Sequence, residues 1–335
     1  MAKRRLSRQQ KWRIDKIQQE RIARAQKKDQ EADTLMESGE FGAEQDGTVV
    51  AHYGTQVEVE DSDYHRYRCL LRANVPQLVT GDRIVWRPGP NDIGIIEAQY
   101  PRRSSLSRPD LRGKIKTVAA NIDYIIIVIA PLPEPSSILI DRYLVAAELA
   151  EIEPIVLLNK IDLLEEKNRQ DFESLIEGYR QIGYQTFTCS AKQALGLTEL
   201  DALLHQHSFV FVGQSGVGKS SLVNALLPHS AQETREVSET SGLGVHTTTT
   251  AQLFHTLNNG KLIDSPGIRE FSLHVTEAQQ LAQGFREFQP YFGHCQFSDC
   301  KHDREPNCAI KTAVAEGKIR PQRLENYLKL VAALE

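Results

Sequence analysis

The chain has 335 residues, with 40 Lys or Arg against 44 Asp or Glu, a net charge of −4. That balance excludes a bulk polycation that coats nucleic acid by charge alone, and the length is enough for two or three packed domains. No run reaches the roughly 18 apolar residues of a membrane span, no signal-peptide pattern opens the chain, and an odd count of five cysteines fits a reducing cytosol. A cytoplasmic monomer with no membrane partner is expected.

Residues 1–40 have almost no apolar periodicity. Lys3, Arg4, Arg5, Arg8 and Lys11 begin a basic stretch that Asp29, Glu31 and Asp33 reverse, the pattern of a flexible, solvated arm. Residues 48–52, 56–60, 67–71, 83–86 and 93–96 are short β-type runs, separated by Gly54, Pro76, Gly81 and the Pro88–Asn91 stretch. Five strands in so short a span predict a small closed barrel of oligonucleotide-binding (OB) type. Residues 101–116 read as a basic connector carrying Arg102, Arg103, Arg108, Arg112, Lys114 and Lys116. Apolar strands at 122–129, 155–158, 184–189 and 209–212 then alternate with helices at 138–150, 171–182 and 197–204, which predicts a layered α/β domain with a mostly parallel sheet.

The fourth of those strands leads into GQSGVGKS, and a helical pattern follows until Pro228. This is the phosphate-cradle pattern G-x-x-x-x-G-K-[ST] in its proper strand–loop–helix setting. Gly213, Gln214, Ser215, Gly216, Val217 and Gly218 would turn backbone N–H groups toward an anion at the helix N-terminus. Lys219 would reach the β- and γ-phosphates, Ser220 would bind Mg²⁺, and Ser221 completes the nucleotide-binding segment. The loop specifies a nucleoside triphosphate but not its base. The base is indicated by Asn159-Lys160-Ile161-Asp162 after an apolar strand. The Asp162 carboxylate can accept from guanine N1–H and the N2 amino group together, which adenine cannot match, so an ATPase is disfavoured. Asn159 would hold the loop and the purine edge, and the Lys160 stem would lie over the ring. Ser190, Ala191 and Lys192 follow the next strand and would offer a backbone N–H to guanine O6.

Downstream, Asp264 in Asp264-Ser265-Pro266-Gly267 can hold the Mg²⁺ shell, and the Gly267 N–H can meet the γ-phosphate. Between cradle and DSPG lies GLGVHTTTT, a switch candidate containing His246. Nearer the C-terminus, Cys295, Cys300, His302 and Cys308 give C-x₄-C-x-H-x₅-C. Three thiolates and an imidazole suit a closed, tetrahedral structural zinc, with His294 as a rival ligand. Cys69 and Cys189 read as core, and helices follow between 314 and 334.

The order guanine motif, SAK, cradle, threonines, DSPG is a circular permutation of an ordinary small GTPase. That order, the flanking segments and GLGVHTTT resemble the ribosome-small-subunit-dependent GTPases from about Gly47 to the C-terminus. The resemblance implies an α/β, circularly permuted P-loop GTPase domain at 106–275, an N-terminal OB-type β-barrel at 41–105 and a zinc-binding helical domain at 276–335, behind the arm at 1–40. It implies GTP hydrolysis stimulated by the small ribosomal subunit, as a late assembly checkpoint that binds ribosomal RNA. Its partners would be that subunit with its RNA, and GTP or GDP. Exposed Arg66, Arg68, Arg72, Arg83 and Arg87 of the barrel would serve the RNA. Thr248 is implied as the second protein ligand to Mg²⁺, with Thr247 and Thr249 as rivals. The residue after DxxG that orients water in Ras-like enzymes is here Ile268, which cannot hydrogen-bond. His246 is therefore the expected water-positioning residue, with a ribosomal group or a potassium ion as alternatives. The competing class is a nucleotide-gated RNA-binding module whose hydrolysis is incidental.

Overall fold

The structure is a computed structural model that describes residues 41–53, 56–72, 75–109, 113–228, 251–264, 273, 275 and 277–334. The arm at 1–40, His246, the switch threonines Thr247, Thr248 and Thr249, Gly267 and Ile268 lie outside the described residues. The chain divides into two compact units, Met1–Arg102 and Arg103–Glu335.

In the first unit, β1 (Gln45–Tyr53), β2 (Gln56–Glu60), β3 (Arg66–Leu71), β4 (Arg83–Pro88) and β5 (Ile93–Gln99) form the expected barrel. Alternation sets its inside: Val57 and Val59 of β2 and Ile84 and Trp86 of β4 are buried, with Arg83 and Gln56 outside. β1 pairs with both β2 and β4, and β5 lies parallel to β3 and antiparallel to β4, so the sheet closes. Val49, Val57, Cys69, Leu78, Trp86 and Ile96 fill it. The expectation of five exposed arginines needs correction. Arg72 and Arg87 are half-buried and share Glu97 of β5, at 3.9 and 3.2 Å, and Arg87 also holds Glu44 at 2.6 Å. Glu97 of β5 and Glu44 just before β1 therefore engage these guanidinium groups.

In the second unit, part of the expected basic connector is a β-hairpin, β6 (Ser105–Pro109) with β7 (Ile115–Ala120). Leu106 and Ala119 are its buried register partners, and Arg108 and Lys116 stand opposite one another. Then follow β8 (Tyr124–Ile129), α1 (Ser137–Leu149), β9 (Glu153–Leu158), α2 (Glu166–Ile182), β10 (Gln185–Thr188), α3 (Leu197–Leu204), β11 (Ser208–Val212), α4 (Lys219–Leu226), β12 (Gln252–His255) and β13 (Lys261–Asp264). The sheet order is β10-β9-β8-β11-β13-β12. All neighbours are parallel except β12 against β13. Helix cover explains why β8, β9 and β11 are nearly continuous apolar runs. The parallel arrangement brings the loops after β9, β10, β11 and β13 to one edge, where ligands bind in open α/β sheets.

The C-terminal segment contributes α5 (Ala278–Gln283), a 3₁₀ turn (Arg286–Tyr291), α6 (Ala309–Ala315) and α7 (Pro321–Ala332). Phe285, Phe288, Ile310, Ile319 and Tyr327 form its core, and Val145 of α1 belongs to the same cluster. Polar groups also cross this contact. Asp141 of α1 is fully buried and accepts from Tyr179 Oη at 2.8 Å and Asn326 Nδ2 at 2.6 Å, and it pairs with Arg323. Arg323 Nε also donates to Glu287 Oε1 at 2.5 Å. Burial works against the Arg323 charge, but Asp141 and Glu287 together outweigh it and hold the guanidinium protonated. A charge so placed keeps its stabilising effect only while its partners stay.

Candidate guanine-nucleotide site

β11 ends at Val212, and the next residue, Gly213, has φ +137° and passes so close to β8 that a Cβ would lie 2.3 Å from Val128 O. Gly218, at φ +98°, touches the neighbouring loop: a Cβ there would lie 2.3 Å from Asn159 Nδ2. Both positions therefore require glycine. Between them Val217 packs its side chain into the core among Val128, Leu222 and Phe211. The loop is thus pinned from below while Gln214, Ser215 and Gly216 stay exposed, and α4 starts at Lys219 with Ser220 and Ser221 exposed in its first turn. Lys219 Nζ donates to Gly213 O at 2.7 Å and Gln214 O at 2.8 Å. It spans the loop that would wrap the phosphates.

The guanine-side residues are brought against this cradle. Asn159, almost fully buried, donates from Nδ2 to Val217 O at 3.0 Å, and its Oδ1 accepts from Ala191 N at 3.1 Å. One amide therefore fastens three loops together. This refines the expectation that Asn159 faces the purine edge, since both ends of its side chain are committed to neighbouring backbone. Lys160 takes a left-handed backbone, φ +61°, and reaches Gly216 O at 2.5 Å and Leu132 O at 3.0 Å. Asp162 Oδ1 accepts from Ser190 Oγ at 2.5 Å. Ser190 is fully buried, so its hydroxyl orients the carboxylate, a role the sequence reading did not foresee. Because Asn159 occupies the Ala191 N–H, the Lys192 N–H is the one in this tripeptide with no hydrogen bond among the described residues. Cys189 lies beneath, donating toward Asn159 Oδ1 at 3.5 Å, and burial pushes its thiol up to about 12.

Asp264 closes β13, which runs parallel beside β11, so its carboxylate belongs to the same edge as Ser220. A hydroxyl and a carboxylate are hard oxygen donors of the kind Mg²⁺ takes together with phosphate oxygens. Such an ion would neutralise charge developing on the phosphates.

Away from this edge, Cys295, Cys300, His302 and Cys308 converge, with all four donor atoms within 4.8 Å of one another. His302 Nδ1 lies 3.3 Å from Cys308 Sγ and 3.7 Å from Cys295 Sγ, and the two sulfurs are 4.0 Å apart. A tetrahedral ion about 2.3 Å from each sulfur separates such donors by roughly 3.8 Å, so the set fits a closed metal site. His294 is exposed and outside the cluster, which resolves the rivalry in favour of His302. Burial pushes the Cys300 thiol up to about 12 and raises Cys308, so without an ion both are neutral thiols. Among the described residues this is the one His/Cys/Asp/Glu cluster that could hold a metal ion with a thiolate set.

A phosphate loop placed after, rather than before, its guanine loops on a parallel sheet, preceded in the chain by a five-stranded barrel and followed by a Cys₃His segment, defines a circularly permuted P-loop GTPase. Comparison with known proteins agrees. The RsgA GTPase family model matches residues 99–274. The small ribosomal subunit biogenesis GTPase RsgA of Azotobacter vinelandii is 55% identical, over 100% of this chain and 98% of its own. That of Pseudomonas aeruginosa is 54% identical with the same coverage. Among solved structures, YjeQ from Thermotoga maritima superposes with a TM-score of 0.74 at 35% identity, covering 87% of this chain and 99% of its own. YloQ, described as a circularly permuted GTPase, gives 0.71 at 26% identity, covering 87% and 95%. The chain belongs to the RsgA GTPase family.

Proposed function

We propose that this GTPase acts in biogenesis of the small ribosomal subunit, that the subunit stimulates its hydrolysis, and that the cycle serves as a late maturation checkpoint. The names of its full-length relatives support the process, and the three-loop junction at Asn159 supports guanine-gated turnover. Gly213 to Ser221 would hold the phosphates, Asp162 the guanine edge with Ser190 as its orienting hydroxyl, and Ser220, Thr248 and Asp264 the Mg²⁺. The ion in the Cys₃His site would be zinc, because three thiolates and an imidazole in a closed tetrahedral set suit it best. The barrel and the arm at 1–40 would contact ribosomal RNA through phosphates. His246 would orient the attacking water, with the Gly267 N–H on the γ-phosphate.

The single observation that carries the reading is the linkage of cradle, NKxD and SAK loops through one buried amide. Multiple-turnover hydrolysis tests it, with small subunits, with large subunits and with neither. Stimulation by small subunits alone is the expected result, and His246→Ala should lower the stimulated rate by roughly a hundredfold. Turnover indifferent to subunits would favour the RNA-binding module whose hydrolysis is incidental.

A further inference from the structure

One arginine of the C-terminal segment holds the far ends of both strands that lead to the guanine loops. Arg286 donates from Nε to Glu148 Oε1 at 2.8 Å, at the end of α1. Its Nη2 reaches both oxygens of Glu153 at 3.2 and 3.3 Å, and Glu153 is the first residue of β9. Its Nη1 donates to Gly183 O at 3.0 Å, and its guanidinium lies 4.5 Å from the centre of the Tyr184 ring, the two residues that precede β10. β9 then runs directly into Asn159, and β10 ends two residues before Ser190.

β10 is the edge strand of its sheet. It is only four residues long and is bonded to β9 alone. Its register against β9 fixes where Ser190 stands relative to Asp162, and where Ala191 stands relative to Asn159. Both of those contacts are single hydrogen bonds. Arg286 supplies what a short edge strand lacks, a rigid planar fork that fixes both strand beginnings to one another and to α1. The strands carry that constraint about 20 Å, at roughly 3.3 Å per residue, to the loops that face the base.

We propose that Arg286 is a positioning residue for guanine recognition, acting through β9 and β10 from the edge of the sheet opposite the nucleotide. The C-terminal segment is then more than a module attached beyond the switch. It sets the alignment of the base-reading loops, and any partner that shifts it alters nucleotide affinity by the same coupling that nucleotide exerts on its position. This rests on the reading of Asp162 and the SAK loop as the guanine site.

The test is the ratio of GDP to IDP affinity, measured by competition against a fluorescent GDP analogue. IDP lacks the N2 amino group, so the ratio reports how well the Asp162 carboxylate is aimed, whereas a loss of folded protein lowers both affinities equally. Arg286→Gln should reduce the parental ratio by about fivefold, the low end of ordinary coupling between sites. Arg286→Lys, which keeps the charge but not the fork, should fall between. The half-exposed partner variant Glu153→Gln, measured alongside with its thermal midpoint, should move the ratio in the same direction even if Arg286→Gln folds poorly. A ratio unchanged in these variants, or equal losses of GDP and IDP, overturns the proposal and leaves Arg286 a structural clamp. A parent with no preference for GDP over IDP would instead sink the guanine reading itself.

Discussion

The two edges of the parallel sheet are held by different chemistry. At the carboxyl edge, Asn159, Lys160 and Lys219 reach backbone carbonyls: Val217 O, Gly216 O, Leu132 O, Gly213 O and Gln214 O. At the amino edge, guanidinium groups meet carboxylates: Arg103 with Asp123 at 3.0 Å, and Arg286 with Glu148 and Glu153. A lysine on a carbonyl can exchange that neutral acceptor for a phosphate oxygen when nucleotide arrives, at little net cost. A forked arginine on two carboxylates has no such competitor. The Lys219 bonds at the nucleotide edge are therefore exchangeable, whereas the amino edge is fastened by charge pairs.

The C-terminal segment extends the second kind of fastening, and breaking its metal site should have the largest effect. Cys300→Ser removes a ligand from a site of a type that supplies about 10–16 kcal/mol in small zinc modules. Metal analysis should show one ion per parental chain and its loss in the variant, with protease sensitivity rising after about residue 288. Because Cys300 and Cys308 are neutral thiols without the ion, binding should release protons and weaken as pH falls. A parent purified without metal and fully folded would refute the staple.

Next in size is the buried charge on α7. Arg323→Met leaves Asp141 and Glu287 without their cation, and stranding a buried partner costs about 3–5 kcal/mol. Denaturant unfolding should show that loss. A change under 1 kcal/mol would mean that water or neighbouring groups already satisfy Asp141. The smallest effect is expected at the exchangeable edge. Ser190→Ala removes the hydrogen bond to the Asp162 carboxylate and the one accepted from Gln193 N, so GTP affinity should fall by about 1.5–3 kcal/mol at most, with a smaller loss of stability. A larger stability loss than affinity loss would make Ser190 a core residue first.

Much of this was legible in the residues themselves. Short β-type runs separated by Gly and Pro marked the five barrel strands, and the continuous apolar runs marked β8, β9 and β11. The cradle and the Cys₃His spacing are local patterns, so a linear reading finds them. The hairpin β6–β7 was read as a connector because Arg108, Lys114, Lys116 and Pro109 hide the few inward positions, Leu106 and Ala119. β12 is four residues long beside a threonine run and left too little pattern to recognise. Arg286 was invisible for another reason: its partners lie 138, 133 and 103 residues away, and no spacing rule connects them. For Arg323 a hint did exist at Asp141, a carboxylate on an otherwise apolar face of α1 next to Ile140, Leu144 and Val145. A buried helix face with one acid implies a distant cation, although not which one.

Asp162, oriented by Ser190, is the residue expected to read guanine. The direct measurement is the binding of GTP and xanthosine triphosphate to the parent and to Asp162→Asn. A site built to hydrogen-bond a group rejects the mismatched partner strongly, so the variant should lose GTP affinity by roughly a hundredfold or more and gain xanthosine triphosphate. Equal GTP affinity in variant and parent would contradict the assignment, and with it the guanine-loop junction around Asn159.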